Sequence, residues 1–182
     1  STDEASQQIG WRPGARMDLQ LDDATVMITG ASGGIGQALA AAFAAEGSRL
    51  VLHAHKGTDR LASLVAESSW RKRALCVAGD IRDPATVDQM FAEGADRFGR
   101  IDVAIANAGI WPVESRTLDQ LPVQRIQDTV AVNLLGATWT ARSWMGGLRA
   151  AGPRADGRGA ALVLIGSTAG RFGEAGHADY AM

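Results

Sequence analysis

From residue 24 onward short apolar runs alternate with helical segments, and this alternation narrows the available folds more than any other feature. Residues 25–29 (TVMIT) read as a buried strand that stops at Gly30. The next segment predicts a helix with Ile35, Leu39 and Phe43 spaced four apart on its inward face, ending at Gly47. Residues 49–54 (RLVLHA) form a second strand, and a helix with Leu61, Leu64 and Val65 inward follows. Residues 74–78 (ALCVA) are a third strand. Asp83 and Pro84 then supply an N-cap and a first helical position. Val87, Met90, Phe91 and Phe98 make the buried face of that helix, and residues 101–106 (IDVAIA) a fourth strand. A continuous helix is expected from about residue 121 to about residue 150, through Ile126, Val130, Leu134, Ala137, Trp144 and Leu148. A Gly/Pro loop at 152–159 precedes a fifth strand at 160–165.

Strands that alternate with helices pair in parallel, so the expected fold is α/β, a doubly wound parallel sheet of Rossmann type. The usual order of such a sheet, 3-2-1-4-5-6, takes six strands. Five are legible here, so the sheet is expected to be incomplete at its C-terminal side. Residues 1–18 are polar and aperiodic and read as a flexible leader. Residues 19–182 read as one dinucleotide-binding domain, truncated before its last strands.

Composition closes off other classes. The chain has 18 basic and 20 acidic residues, net −2, so no cationic excess exists for a nucleic-acid backbone or an anionic membrane. Its longest apolar run, residues 38–45, is far below the roughly 18 residues of a membrane span. Cys76 is the single cysteine, which excludes an internal disulfide and a cysteine-rich metal site and fits a reducing cytoplasm. His53 and His55 lie two apart on one strand face, a spacing that can chelate a metal. No third ligand stands near in sequence, so an ordinary strand role is expected and no metal.

The first strand runs through Gly30, Ser32, Gly33, Gly34, Ile35 and Gly36 straight into a helix. A pyrophosphate needs backbone N–H donors at close range, where a Cβ would stand in the way. The helix N-terminus adds its positive dipole end at the same place. About 20 residues on, a dinucleotide site places the residue that reads the adenosine ribose. Here the sequence is Ala54-His55-Lys56, without the carboxylate that bonds a 2′-hydroxyl and repels a 2′-phosphate. NADP is therefore the expected cofactor, with NAD the alternative; His55 and Lys56 can also be read as solvated loop residues.

With these residues in view, the chain resembles the short-chain dehydrogenase/reductases over residues 21–182. The motifs fall in family order: the glycine loop, Asp80-Ile81 after the third strand, Asn107-Ala108-Gly109 after the fourth, Asn133 in a helix, and Ser167 ahead of Tyr180. The resemblance implies that Asp80 contacts the adenine ring with Ile81 beside it, and that Asn107 and Gly109 lie along the cofactor. Ala106 departs from the Asn often first in that last motif. Gly30, Gly33 and Gly36 also fit the glycine spacing of the extended branch, whose members include epimerase- and dehydratase-like enzymes. The contexts of Asn107 and Asn133 favour the ordinary branch.

The implied reaction moves a hydride between NADP(H) and a carbonyl or secondary alcohol. The resemblance makes Tyr180 the acid/base, Ser167 the hydrogen-bond partner of the substrate oxygen, and Asn133 the holder of a relay water. Taken singly, each has a plain structural reading. A phenol titrates near pH 10, so a tyrosine acting near neutrality needs about 4 kcal/mol of phenolate stabilisation. The family supplies it with the cofactor's charge and a lysine four residues after the tyrosine, a position past Met182. Residues 1–182 alone are therefore expected to be inactive. Trp111, Phe172 and residues 171–177 are candidates for a substrate cleft. A catalytically silent nucleotide-binding or interaction module is the competing reading. The long helix is expected to pair with its copy in a homodimer or homotetramer, or else simply to cover the sheet.

Overall fold

A computed structural model describes residues 18–182. The leader expected at 1–18 lies, apart from Asp18, outside the described residues. Five strands form one sheet: β1 (Thr25–Ile28), β2 (Arg49–Ala54), β3 (Ala74–Ala78), β4 (Val103–Ala106) and β5 (Ala161–Leu164). All pairings are parallel and the order is β3-β2-β1-β4-β5, with Met27 in register between Val51 and Ala104. Every residue of β1 and β4 is buried, as strands covered on both faces require.

Side chains alternate between two layers because the strand period is two. Val26, Ile28, Leu50 and Leu52 pack under α1 (Gly34–Ala45) and α2 (Thr58–Glu67), with Ala40, Ala44, Leu61 and Val65. Met27, Val51 and Ala104 face α3 (Pro84–Phe98), meeting Val87, Met90 and Phe91, and Trp144 from the long helix. The chain winds outward from β1 in both directions, so the sheet changes direction between β1 and β4. A crevice opens beyond the C-terminal ends of those two strands.

The helices correct several expectations. In α1 the buried positions are Gly36, Ala40 and Ala44, while Leu39 and Phe43 flank the core and Ile35 is 62% exposed. The spacing of four is right but the face is displaced by one residue. Where the helix axis lies closest to the sheet only the smallest side chains fit. In α3 the Asp83 carboxylate accepts from the amides of Ala85 (3.1 Å) and Thr86 (3.2 Å), and Pro84 occupies the first turn. Phe98 is only half-buried, and Gly94 takes an inward place instead.

The long helix is not one uninterrupted α-helix. It comprises α4 (Val123–Thr129), a π-helical stretch (Val130–Gly136) and α5 (Ala137–Ala151). The wider turn shifts the inward phase, which leaves Leu134 60% exposed although it continues the apolar series. Leu121 precedes the helix yet is buried. Two short 3₁₀ turns (Arg71–Arg73 and Leu118–Gln120) and the four-residue α6 (Ala169–Phe172) also lay beyond the sequence reading. No described helix is long and apolar enough to cross a membrane.

Candidate functional site

The site begins where β1 stops. Thr29 is buried, and its hydroxyl oxygen accepts from the amides of Asn107 and Ala108, both at 3.0 Å. Asn107 returns the tie by donating its side-chain amide to Thr29 O (2.9 Å) and Gly30 O (3.3 Å). The ends of β1 and β4 are thereby fastened to each other. Gly30 adopts φ +67°, and a Cβ there would stand 2.8 Å from Ala108 Cα. A Cβ on Gly36 would fall 2.4 Å from Gly30 O, so both glycines are required by close backbone approach.

The first helical bond across the start of α1 runs from Gln37 N to Gly33 O at 2.9 Å. The amides of Gly34, Ile35 and Gly36 have no acceptor among the described residues and stand at the positive end of the helix. A Cβ on Gly34 would enter open space. This is the donor set and the clearance that a pyrophosphate needs, so the residues fit a dinucleotide.

A cleft of about 560 Å³ lies over this turn. It is lined by Gly30, Ser32, Gly34, Ile35, Gly36, His55, Lys56, Asp80, Ile81, Asn107 and Gly109, which is the whole dinucleotide set expected from sequence. His53, Arg82, Ile110 and Asp128 join them. A larger depression of about 1030 Å³ between α3 and α5 is walled by Phe91, Trp144 and Leu148 and contains none of this set.

At the end of the cleft beside β2 and β3, Arg82 grips Asp80 in a fork, with Nε–Oδ2 at 2.8 Å and Nη2–Oδ2 at 2.6 Å, and reaches Asp128 at 3.3 Å. The Arg82 hydrogen bonds hold the Asp80 carboxyl down to about 2. His55 Nε2 lies 3.9 Å from the same carboxylate, and Ser32 donates to the Lys56 carbonyl at 3.1 Å. Sequence reasoning missed Arg82, although its place two residues after Asp80 is a spacing at which an arginine can fold back on a carboxylate.

His53 was also missed. Its ring lies between Gly30 N (3.2 Å) and Gly79 O (3.0 Å), both backbone partners. The spacing from His55 places it on the cleft side of β2 but does not show what it holds.

The expected catalytic residues lie beyond the cleft rather than in its lining. Asn133 sits in the π-helical stretch; its Oδ1 accepts from Ile110 N (2.8 Å) and its Nδ2 donates to Ile110 O (3.0 Å). Ser167 follows β5, is exposed, and accepts from Ala169 N at 3.2 Å. Tyr180 meets Trp111 edge-on at a centroid distance of 4.6 Å, and Trp111 stacks on His177 at 4.1 Å. Trp111 directly follows Ile110, so the tyrosine adjoins the cleft's far end through this pair. Among the described residues no hydrogen bond joins Ser167 to Tyr180. Phe172, a candidate for the substrate cleft, is 74% exposed.

Known proteins carry the same plan. The chain is 34% identical over 165 residues to the L-rhamnose 1-dehydrogenase (NAD(P)(+)) of Azotobacter vinelandii, covering 88% of this chain and 61% of that protein. It is 32% identical over 161 residues to the sorbitol dehydrogenase of Cereibacter sphaeroides, covering 86% of this chain and 57% of that one. This chain thus spans about three-fifths of the length of these relatives. The crystal structure of 3-ketoacyl-(acyl-carrier-protein) reductase from Brucella melitensis, complexed with NADH, superposes with a TM-score of 0.77 at 26% identity. That match covers 88% of this chain and 64% of the reductase. Residues 24–182 match the family model for short chain dehydrogenases, a span that takes in the whole sheet, the glycine turn and Tyr180. By fold, turn and sequence alike, the chain belongs to the short-chain dehydrogenase family of oxidoreductases.

Proposed function

We propose that this chain holds NADP(H) in the cleft over the glycine turn and serves hydride transfer to or from a carbonyl or secondary-alcohol carbon. The observation that carries the reading is the gathering of the glycine turn, Asp80 and Asn107 around one cleft, with the amides of Gly34, Ile35 and Gly36 left for an anion. Bound nicotinamide supplies or accepts the hydride. The protein's part is to fix that ring against the substrate and to handle one proton.

In this reading Tyr180 gives its hydroxyl proton to the carbonyl oxygen in reduction and takes it back in oxidation. Ser167 steadies the substrate oxygen through its hydroxyl. Asn133 already spends one lone pair and one N–H on Ile110. An amide has a second of each, so a relay water still has a partner there. Trp111 forms a wall beside the phenol.

NADP is favoured by the absence of a carboxylate at Ala54-His55-Lys56 and by Arg82 in the same cleft. NAD is the competitor, since the Brucella melitensis reductase is complexed with NADH. The two relatives are named for L-rhamnose and sorbitol, which supports a polyhydroxylated substrate. The exposed Leu134, Leu135 and Met145 support pairing of the long helix with its copy in a dimer or tetramer. Competitive titration with NADPH and NADH, followed by a nicotinamide-linked assay of the full-length protein on sugars, polyols and simple ketones, tests the reading. Tighter NADPH binding with turnover is expected. Absence of binding to either dinucleotide overturns it.

A further inference from the structure

We propose that His53 is a positioning residue for the dinucleotide, an imidazole bolt that fastens the glycine turn to the loop carrying Asp80. The inference rests on the reading of the cleft as a dinucleotide site and adds a device that fixes its shape.

His53 is 1% exposed at the cleft side of β2. Gly30 N–H can only donate and Gly79 C=O can only accept. Their distances to Nδ1 (3.2 Å) and Nε2 (3.0 Å) therefore admit one arrangement, the neutral ring with its proton on Nε2. The backbone repeats the fastening: Ala31 N donates to His53 O at 2.7 Å, and Gly79 N donates to Ala54 O at 3.3 Å. Two successive amides of the turn thus hang on one residue of β2. From the opposite side Asn107 Nδ2 donates to Gly30 O at 3.3 Å and Ala108 leaves no room for a Cβ, so the turn is held between the ends of β2 and β4. The amides of Gly34, Ile35 and Gly36 inherit their direction from that clamp.

The same geometry makes the bolt sensitive to acid. A proton on Nδ1 sets two donors against each other at 3.2 Å and releases Gly30. Burial pushes the His53 ring below its usual value, with His55 adding to the effect and the Gly79 bond and Asp80 opposing it. His55 two residues along β2 and Asp80 after β3, itself paired with Arg82, are the titratable groups that act on the ring. The glycine turn and β1 contribute none.

The test compares wild type with His53→Gln and His53→Leu. Glutamine keeps a donor toward Gly79 but cannot titrate; leucine keeps the apolar volume and neither bond. NADPH and NADH affinities are measured by nicotinamide fluorescence from about pH 5 to about pH 8. The wild-type to His53→Gln affinity ratio at each pH cancels the ligands' own titration. That ratio should fall only toward the acid end, since burial holds the ring below its usual value, and His53→Leu should bind about tenfold more weakly than wild type at neutral pH. Imidazole ¹⁵N spectra of the wild type, with only three histidines to assign, provide a readout independent of binding and of variant folding. They should show His53 protonated on Nε2 alone at neutral pH. His53→Leu binding both dinucleotides as tightly as wild type, or a ring protonated on Nδ1 at neutral pH, overturns the bolt while leaving the dinucleotide reading intact. Failure of wild type to bind either dinucleotide at any pH overturns both.

Discussion

Arg125 grips Asp179 through two parallel hydrogen bonds, Nε to Oδ2 and Nη2 to Oδ1, each 2.9 Å long. The Asp179 side chain has no exposed surface, and the Thr129 hydroxyl stands 3.1 Å from the same carboxylate. Arg125 also donates to the Glu114 carbonyl. A single guanidinium on α4 therefore ties down both the segment that follows Ile110 and the residue immediately before Tyr180. The fork holds the Asp179 carboxyl below its ordinary range, with Thr129 assisting.

Removing one partner leaves the other charge buried and uncompensated, the costly case for an ion pair. Arg125→Met should free residues 174–182. Amide exchange at Tyr180 and Ala181, whose N–H groups both donate to His177 O at 3.0 Å, should quicken by about tenfold or more. Hydrogen-exchange mass spectrometry reads this directly. Protection equal to wild type would mean that the pair does not hold the tyrosine segment.

The same carboxylates predict an acid limb. For Asp80 and Asp179 the folded pKa lies below the ordinary value of 3.8, so the unfolded chain takes up protons first as pH falls. Their stabilisation is complete above that value and disappears as pH drops through the folded one, which for Asp80 is about 2. The stability gap between wild type and Asp80→Asn, followed by circular dichroism in urea, should be constant above pH 5 or so and close toward pH 2. A gap that persists unchanged in strong acid would contradict the Arg82–Asp80 pairing.

Thr29→Val tests the fastening between β1 and β4. Valine preserves volume and β-branching but removes the oxygen that accepts from Asn107 N and Ala108 N. Ala108 N loses its acceptor while Asn107 N keeps Ile105 O at 3.0 Å, so the change should cost about 1–2 kcal/mol in urea unfolding. A loss below about 0.5 kcal/mol would show that water or a shifted backbone replaces the oxygen.

Much of this was legible in the sequence because strong local signals agreed with the fold. The strands are apolar and short, Asp83-Pro84 marks a helix start in chemical terms, and β2 and β3 have the expected bounds. The phase of α1 was not legible, because a pattern weighted by side-chain size favours Ile35 over Gly36. The π-helical stretch was hidden for a related reason: its extra residue leaves the composition of residues 130–136 unchanged and alters only the phase. At the site, the dinucleotide residues sit in contiguous motifs at strand ends, and they converged. Gly30 and His53 are 23 positions apart, Arg125 and Asp179 are 54 apart, and no periodicity joins either pair.

Two glycines two residues apart in chain number, Gly34 and Gly36, separate fold from binding. At Gly36 a Cβ would lie 2.4 Å from Gly30 O and 2.7 Å from Ala31 Cα, both backbone atoms that cannot step aside. At Gly34, which lines the cleft over the glycine turn, a Cβ meets nothing within 4 Å. Alanine raises helix propensity at either position by up to about 1 kcal/mol. At Gly36 overpacking of about 1–3 kcal/mol outweighs that gain. Gly36→Ala should therefore lower both melting temperature and dinucleotide affinity. Gly34→Ala should melt at or above the wild-type temperature yet bind NADPH about tenfold or more weakly, since one methyl displaces the phosphate from its amides. Calorimetry and fluorescence titration on the pair check both halves. Wild-type affinity in Gly34→Ala would place the pyrophosphate elsewhere than on the first turn of α1.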